Sequence, residues 1–100
     1  MKPVLFHAAA EAELHDAIAF YESRRAGLGL SFRSEVEHVV DLIQQHPDRW
    51  AGYKNTAYRK CSLDRFPFNV FYLELEDVIW IAALAHQKRK PGYWLHRETL

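Results

Sequence analysis

The amino-acid sequence predicts an α+β fold, in which an antiparallel sheet carries a helical hairpin on one face and a short C-terminal helix closes the chain. Three observations lead there. Apolar residues of the first half recur at helical spacing, and those of the second half alternate or run together as strand residues do. Glycine and proline stand where these patterns change. The resulting order is β-α-α-β-β-β plus the short tail. With 100 residues and 49% hydrophobic content, residues 1–100 are expected to form a single domain around one modest core.

Each element has its own grounds. Pro3–His7 reads as a short strand, with Pro3 at its first position, where a missing N–H is tolerated. From Ala8 to about Arg25, the residues Leu14, Ala17, Ile18 and Tyr21 make one apolar helical stripe. Glu11, Glu13 and Asp16 near its start, and Arg24 and Arg25 near its end, complement the helix dipole. Gly27 is expected to end this helix in a left-handed conformation, with Gly29 keeping the connection tight. A second helix runs from about Leu30 to Gln45 on the stripe Phe32, Val36, Val39, Val40 and Ile43, and stops where Pro47 disfavours helical geometry at His46. Strands follow at Tyr58–Leu63, Phe68–Leu75 and Val78–His86, joined by turns at Asp64–Pro67 and Glu76–Asp77. The nearly unbroken apolar run Val78–Ala85 marks a central strand covered on both faces. Pro91 is placed to start a short helix through Tyr93, Trp94 and His96.

Composition narrows the function. Cys61 is the only cysteine, so the chain builds no internal disulfide and no cysteine cluster, which suits a reducing compartment. The N-terminal apolar stretch stops at His7, and no apolar run is long enough for a membrane span, so a soluble cytoplasmic protein is expected. None of the six histidines (His7, His15, His38, His46, His86, His96) has a histidine partner four residues on or lies in a HExxH pattern, so no metal and no cofactor is expected. No serine lies in a GxSxG turn, and no glycine-rich phosphate loop is present. Cys61 has Arg59, Lys60 and Arg65 nearby, but lacks a nucleophile motif and reads as a small core residue.

Net charge is zero but unevenly spread. Residues 1–48 hold four Lys/Arg against eight Asp/Glu, and residues 49–100 hold nine against five. The densest basic stretch, His86–Arg97, contains Lys88, Arg89, Lys90 and Arg97 and no acid, so one side of the surface can meet a polyanion.

Local sequence resembles the RelE/ParE superfamily of toxins along nearly the whole chain. Glu13-Leu14, Ala17 and Phe20-Tyr-Glu22 resemble its first helix, and Gly27-Leu-Gly-Leu-Ser-Phe-Arg-Ser-Glu-Val36 its turn into the second. Arg59 and Phe66-Pro-Phe-Asn-Val-Phe-Tyr72 resemble its central hairpin, and His86-Gln-Lys-Arg-Lys-Pro-Gly-Tyr-Trp94 its common ending. The resemblance implies the toxin of a bacterial type II toxin–antitoxin system, a growth inhibitor of the kind found in plasmid stabilization, neutralised by a cognate antitoxin. It implies one of two modes of action: members like ParE bind DNA gyrase without a recognised catalytic centre, and members like RelE cut mRNA on the ribosome. A homologue that keeps only its antitoxin partner is a third possibility.

The residues favour binding over catalysis. If the chain is a nuclease, the resemblance points to Arg59, Lys60, Arg89 and Tyr93, and His86 joins them by its place at the end of the central strand beside the basic tail, because RNA cleavage needs a base, an acid and cations for the crowded phosphate. The middle strand departs from that pattern: Phe68-Asn69-Val70 stands where the nuclease pattern has an arginine, and Asn69 supplies no cation. For a target-binding surface, Arg59, Lys88, Arg89, Lys90, Tyr93 and Trp94 are the candidates. Each has a bland alternative: Tyr93 and Trp94 pack the tail onto the sheet, and Arg59 makes a fold-stabilising ion pair. Trp50, Tyr53 and Tyr58 are expected to leave an exposed apolar patch suited to the antitoxin, whose basic segments the acidic first half would also attract.

Overall fold

A computed structural model describes residues 1–99. Its elements are β1 (Val4–Phe6), α1 (Ala8–Arg24), α2 (Leu28–Gln45), β2 (Arg59–Ser62), β3 (Phe68–Glu74) and β4 (Ile79–His86). They follow the expected order, and the helical hairpin covers one face of a four-stranded sheet. Strand order is β1-β4-β3-β2. The β2-β3-β4 meander is antiparallel as expected, whereas β1 lies parallel to β4, which makes the sheet mixed. Two helices and two strands lie between β1 and β4 along the chain, more than the crossover a parallel pair needs.

The hairpin turn differs in detail from its sequence reading. The first helix ends on extended Arg25, and left-handed Gly27 (φ 88°) caps the start of α2 instead. The second helix therefore begins at Leu28, earlier than expected, and Gly29 falls in its first turn. A Cβ at Gly29 would lie 2.5 Å from the Ile18 carbonyl oxygen, so glycine there lets the two helices close. Glu22 reaches across the turn and accepts hydrogen bonds from the Gly27 and Gly29 N–H groups. This satisfies donors that a helix start otherwise leaves open, with a negative charge where the dipole favours one.

Two apolar cores flank the sheet. On the helix side, Phe32, Val36, Val39 and Ile43 of α2 pack with Ala10 and Ala17 of α1 and with Val70, Tyr72, Ile79, Ile81 and Leu84 of the strands. The first-helix stripe is less buried than its spacing suggests: Leu14, Ile18 and Tyr21 only border this core. Tyr72 donates its hydroxyl to the Pro47 carbonyl (2.7 Å), and Glu35 accepts from the backbone N–H groups of Asp64 and Arg65, so the middle of α2 is tied to the turn between β2 and β3 and the chain just past its C-terminus to β3. On the opposite side Phe71, Trp80, Ala82, Ala83 and Ala85 pack beneath Trp94 of the tail. The strand Ile79–His86 is thus covered on both faces, which its unbroken apolar run requires.

The expected C-terminal helix is absent. From Lys90 to Arg97 the chain runs through successive turns closed by three-residue hydrogen bonds, Tyr93 to Lys90, Leu95 to Gly92 and Arg97 to Trp94. Gly92 adopts φ 75°, outside helical geometry, which breaks the helix that Pro91 was placed to start. Cys61 is buried on β2, and burial pushes its thiol up to about 11, as befits an inert core residue.

Candidate functional site

An irregularity in β4 organises the site. Phe71 pairs with Ala83 and Tyr72 with Ile81, so Ala82 is an extra residue in the ladder, a β-bulge. The bulge shifts the alternation of faces. Ile79, Ile81 and Leu84 point to the helices, while Trp80, Ala82, Ala83 and Ala85 point to the tail. The small alanines leave room for a large ring, and Trp94 fills it. Trp94 is 1% exposed, stacked on Phe71 (4.4 Å between centroids) and edge-on to Tyr58 (4.8 Å).

A polar latch holds the tail in place. Because β1 pairs with β4 only at Ile79–Ile81, the edge of β4 beyond them lacks a strand partner. Arg97 donates to the Ala82 carbonyl (2.9 Å), and Glu13 of α1 accepts from the Leu84 N–H (3.1 Å). Glu13 and Arg97 form a two-point ion pair at 2.9 and 3.0 Å, and the Tyr93 hydroxyl donates to Glu13 as well. Burial, together with that bond to an anion, pushes the Tyr93 phenol up to about 12. One carboxylate therefore ties helix, sheet edge and tail together. In the sequence Glu13 stands out as a dipole-favoured acid in the segment that resembles the family's first helix, with nothing to tie it to the tail. The missed signal is its position between Ala10 and Ala17, two alanines that the structure buries on the same helix face.

The latch has a consequence at high pH. Tyr72, buried on β3, is also pushed up to about 12, mainly by desolvation. Both tyrosines stand above their ordinary value of 10.0. A group raised on folding adds stability that is complete below its unfolded value and lost as pH rises through the folded one. Stability should hold to about pH 10 and fall steadily toward pH 12. In a spectrophotometric titration, the signals lost on Tyr72→Phe and Tyr93→Phe should be the late-titrating ones; uniform ionisation of all tyrosines near their ordinary value would contradict this.

Beneath the turns of the tail lies a cavity of about 250 Å³. Lys54, Lys60, His86, Arg89 and Lys90 line it, and no carboxylate does. The structure thus brings together four of the five residues named as nuclease candidates: Lys60, His86, Arg89 and Tyr93. Arg59 is not among them. Its guanidinium donates to the Trp50 carbonyl (2.6 Å), tying the loop before β2 to the sheet; its bond is to a backbone carbonyl rather than to an acid. Arg89 lies over the Tyr93 ring at 3.9 Å, and that ring is itself fixed by Glu13. His86 accepts the Lys88 N–H through Nδ1 (3.0 Å), so in the neutral form its Nε2 carries the proton. Asn69 accepts from Ser62 (2.7 Å) and Gln87 (3.3 Å) through Oδ1, which leaves its amide N–H₂ as the donor end.

Of the residues expected on a target-binding surface, Lys88, Arg89 and Lys90 are exposed, and Tyr93 is half-buried. Trp94 belongs to the core beneath them. The exposed patch expected at Trp50, Tyr53 and Tyr58 does not form. Trp50 packs at the edge of the helix-side core, and Tyr53 and Tyr58 are half-buried around Trp94, because the tail needs their rings as walls. A second depression, about 370 Å³, runs along α1 between Asp16, Phe20, Phe68 and Leu84, with Phe20 half exposed. His86 and Arg89 stand between the two depressions and line both. Among the described residues, no group of three His, Cys, Asp or Glu side chains could hold a metal ion, and no helix is long and apolar enough to cross a membrane.

This architecture, a helical hairpin on one face of a four-stranded mixed sheet in strand-helix-helix-strand order, is that of a RelE/ParE-like fold. Comparison with known proteins gives the family. The family model for the ParE toxin of the type II toxin–antitoxin system parDE matches residues 4–91, and the chain belongs to that family. A solved structure described as the chromosomal ParDE TA system from P. aeruginosa superposes with a TM-score of 0.76 at 20% identity, covering 86% of this chain and 96% of that one. Comparison with curated protein sequences finds no match.

Proposed function

We propose that this ParE-family chain acts in the cytoplasm by binding an essential target, DNA gyrase, that it is neutralised by a cognate antitoxin, and that it does not cut RNA. One observation carries the reading: the groups a nuclease would need are committed elsewhere. Tyr93 donates its hydroxyl to the Glu13 carboxylate and has its phenol pushed up to about 12, which makes it a poor proton donor near neutrality. His86 spends its Nδ1 lone pair on the Lys88 N–H, so its neutral form has no free base nitrogen. Arg59 is turned to Trp50, and Asn69 stands where a cation would meet the phosphate. What remains is a surface of exposed cations, Lys88, Arg89 and Lys90, suited to contact rather than to turnover.

The ribosome-dependent nuclease is the competing reading, because Lys60, His86 and Arg89 do share one cavity. Expression of the full chain, with nucleoid morphology, plasmid supercoiling and transcript ends read in the same cells, separates the two. The expected result is growth arrest with relaxed plasmid, intact transcripts and rescue by the product of an adjoining antitoxin reading frame. Cleaved transcripts with normal supercoiling, abolished by Arg89→Ala, would reject it.

A further inference from the structure

We propose that the cavity beneath the tail is a binding site for a nucleoside 5′-phosphate, held without being cleaved. Charge comes first. Lys54, Lys60, Arg89 and Lys90, with His86 beside them, face a space of about 250 Å³ with no carboxylate in its lining, so these four cations have no internal counter-ion there. The salt bridges of the described residues, at Lys2, Arg33, Arg65 and Arg97, all lie elsewhere. A phosphomonoester brings about two negative charges near neutrality and three acceptor oxygens, where a carboxylate brings one charge.

Donor geometry agrees with the charge. The Asn69 carbonyl is occupied by Ser62 and Gln87, so its amide N–H₂ is the end left to donate. Arg89 is held on the Tyr93 ring at 3.9 Å, and Tyr93 is held by Glu13, so the guanidinium is ordered before any anion arrives. Such preorganisation lowers the entropy lost on binding. The space also exceeds what a phosphate alone requires, and Tyr53 flanks it with aromatic surface, while the Tyr93 ring is covered by Arg89. An aromatic wall beside a cationic pocket suits a nucleobase attached to the phosphate. A departure that counts against cleavage, Asn69 for a cation, is thus a neutral donor in a site built for binding.

The proposal stands apart from the choice of target, since it concerns a ligand of the isolated chain. Backbone amide NMR and calorimetry on the full chain test it with AMP, adenosine, inorganic phosphate and a tetranucleotide carrying either a 5′-phosphate or a 5′-hydroxyl. AMP should shift the signals of Lys60, Asn69, Gln87 and Arg89, with adenosine inert and phosphate weaker. Arg89→Ala and Lys60→Ala should each weaken AMP by about tenfold, the loss of one charge-assisted hydrogen bond. Asn69→Asp is near-isosteric on a folded strand and puts a negative charge in the cavity, so it should abolish binding while leaving the thermal midpoint nearly unchanged. A preference for the 5′-phosphorylated tetranucleotide over AMP supports the end of a strand as source, and the reverse supports the free nucleotide. Phosphate binding as tightly as AMP would overturn the nucleotide assignment, and AMP binding that survives Asn69→Asp would overturn the site.

Discussion

Trp94→Ala is expected to remove about 3–5 kcal/mol from the unfolding free energy, the usual cost of deleting a fully buried large aromatic. The ring is 1% exposed in the tail-side core, stacked on Phe71 and walled by Tyr53 and Tyr58. Alanine would leave a void that the neighbours cannot close, because Ala82, Ala83 and Ala85 beneath it are themselves small and fixed in the central strand. A domain of this size has about 5–15 kcal/mol in all, so the variant should be marginal at 37 °C. Urea denaturation gives the test, with Leu95→Ala as the control. Leu95 is the next residue along but is 42% exposed, and its truncation should change stability by about 0.5 kcal/mol or less. Similar losses for the two variants would mean that the tail is not part of the folded core.

That contrast also indicates how much of this protein is legible in its sequence. Element order follows from periodicity, and the α2 stripe is buried where its spacing places it, because that helix has a single core to face. The tail side resisted reading for a physical reason. Which face a β4 residue takes depends on the bulge at Ala82, and a run as apolar as Val78–Ala85 carries no alternation that would betray a shift of parity. Packing of Trp94 onto the sheet is one of the two readings its sequence offers, and the structure takes it; the half-burial of Tyr53 and Tyr58 around it follows only from that shift. Their aromatic character was read as surface for a partner when it serves the chain's own second core.

The candidate site was legible in part. Lys60, His86, Arg89 and Tyr93 do converge, since β2, the end of β4 and the tail meet there. Arg59 does not, for a reason visible in any strand: neighbours point to opposite faces, so Arg59 and Lys60 could not both line one cavity. What periodicity could not supply is the state of each group. His86 with its Nδ1 occupied, and Tyr93 bound to a carboxylate 80 residues away in sequence, are facts of tertiary contact. They decide the chemistry more than the presence of the residue types does.

Glu13→Ala should be as damaging as the loss of Trp94, although it removes little apolar surface. The carboxylate accepts from the Leu84 N–H, the Tyr93 hydroxyl and the Arg97 guanidinium, partners from the central strand and the tail. The side chains of Arg97 and Glu13 are only 10 and 16% exposed, so alanine would strand a largely buried cation along with a backbone donor. Removing one partner of a buried pair in this way costs about 3–5 kcal/mol. The double variant Glu13→Ala with Arg97→Ala separates the causes. If an uncompensated charge dominates, deleting it too should restore part of the loss, with a coupling of about 1–3 kcal/mol. If the Leu84 and Tyr93 bonds dominate, the double variant should be no better than Glu13→Ala alone. Hydrogen exchange at the Leu84 amide gives an independent reading, since that donor should lose protection in both variants. A loss below about 1 kcal/mol for Glu13→Ala would mean that packing at Trp94 holds the tail without the latch.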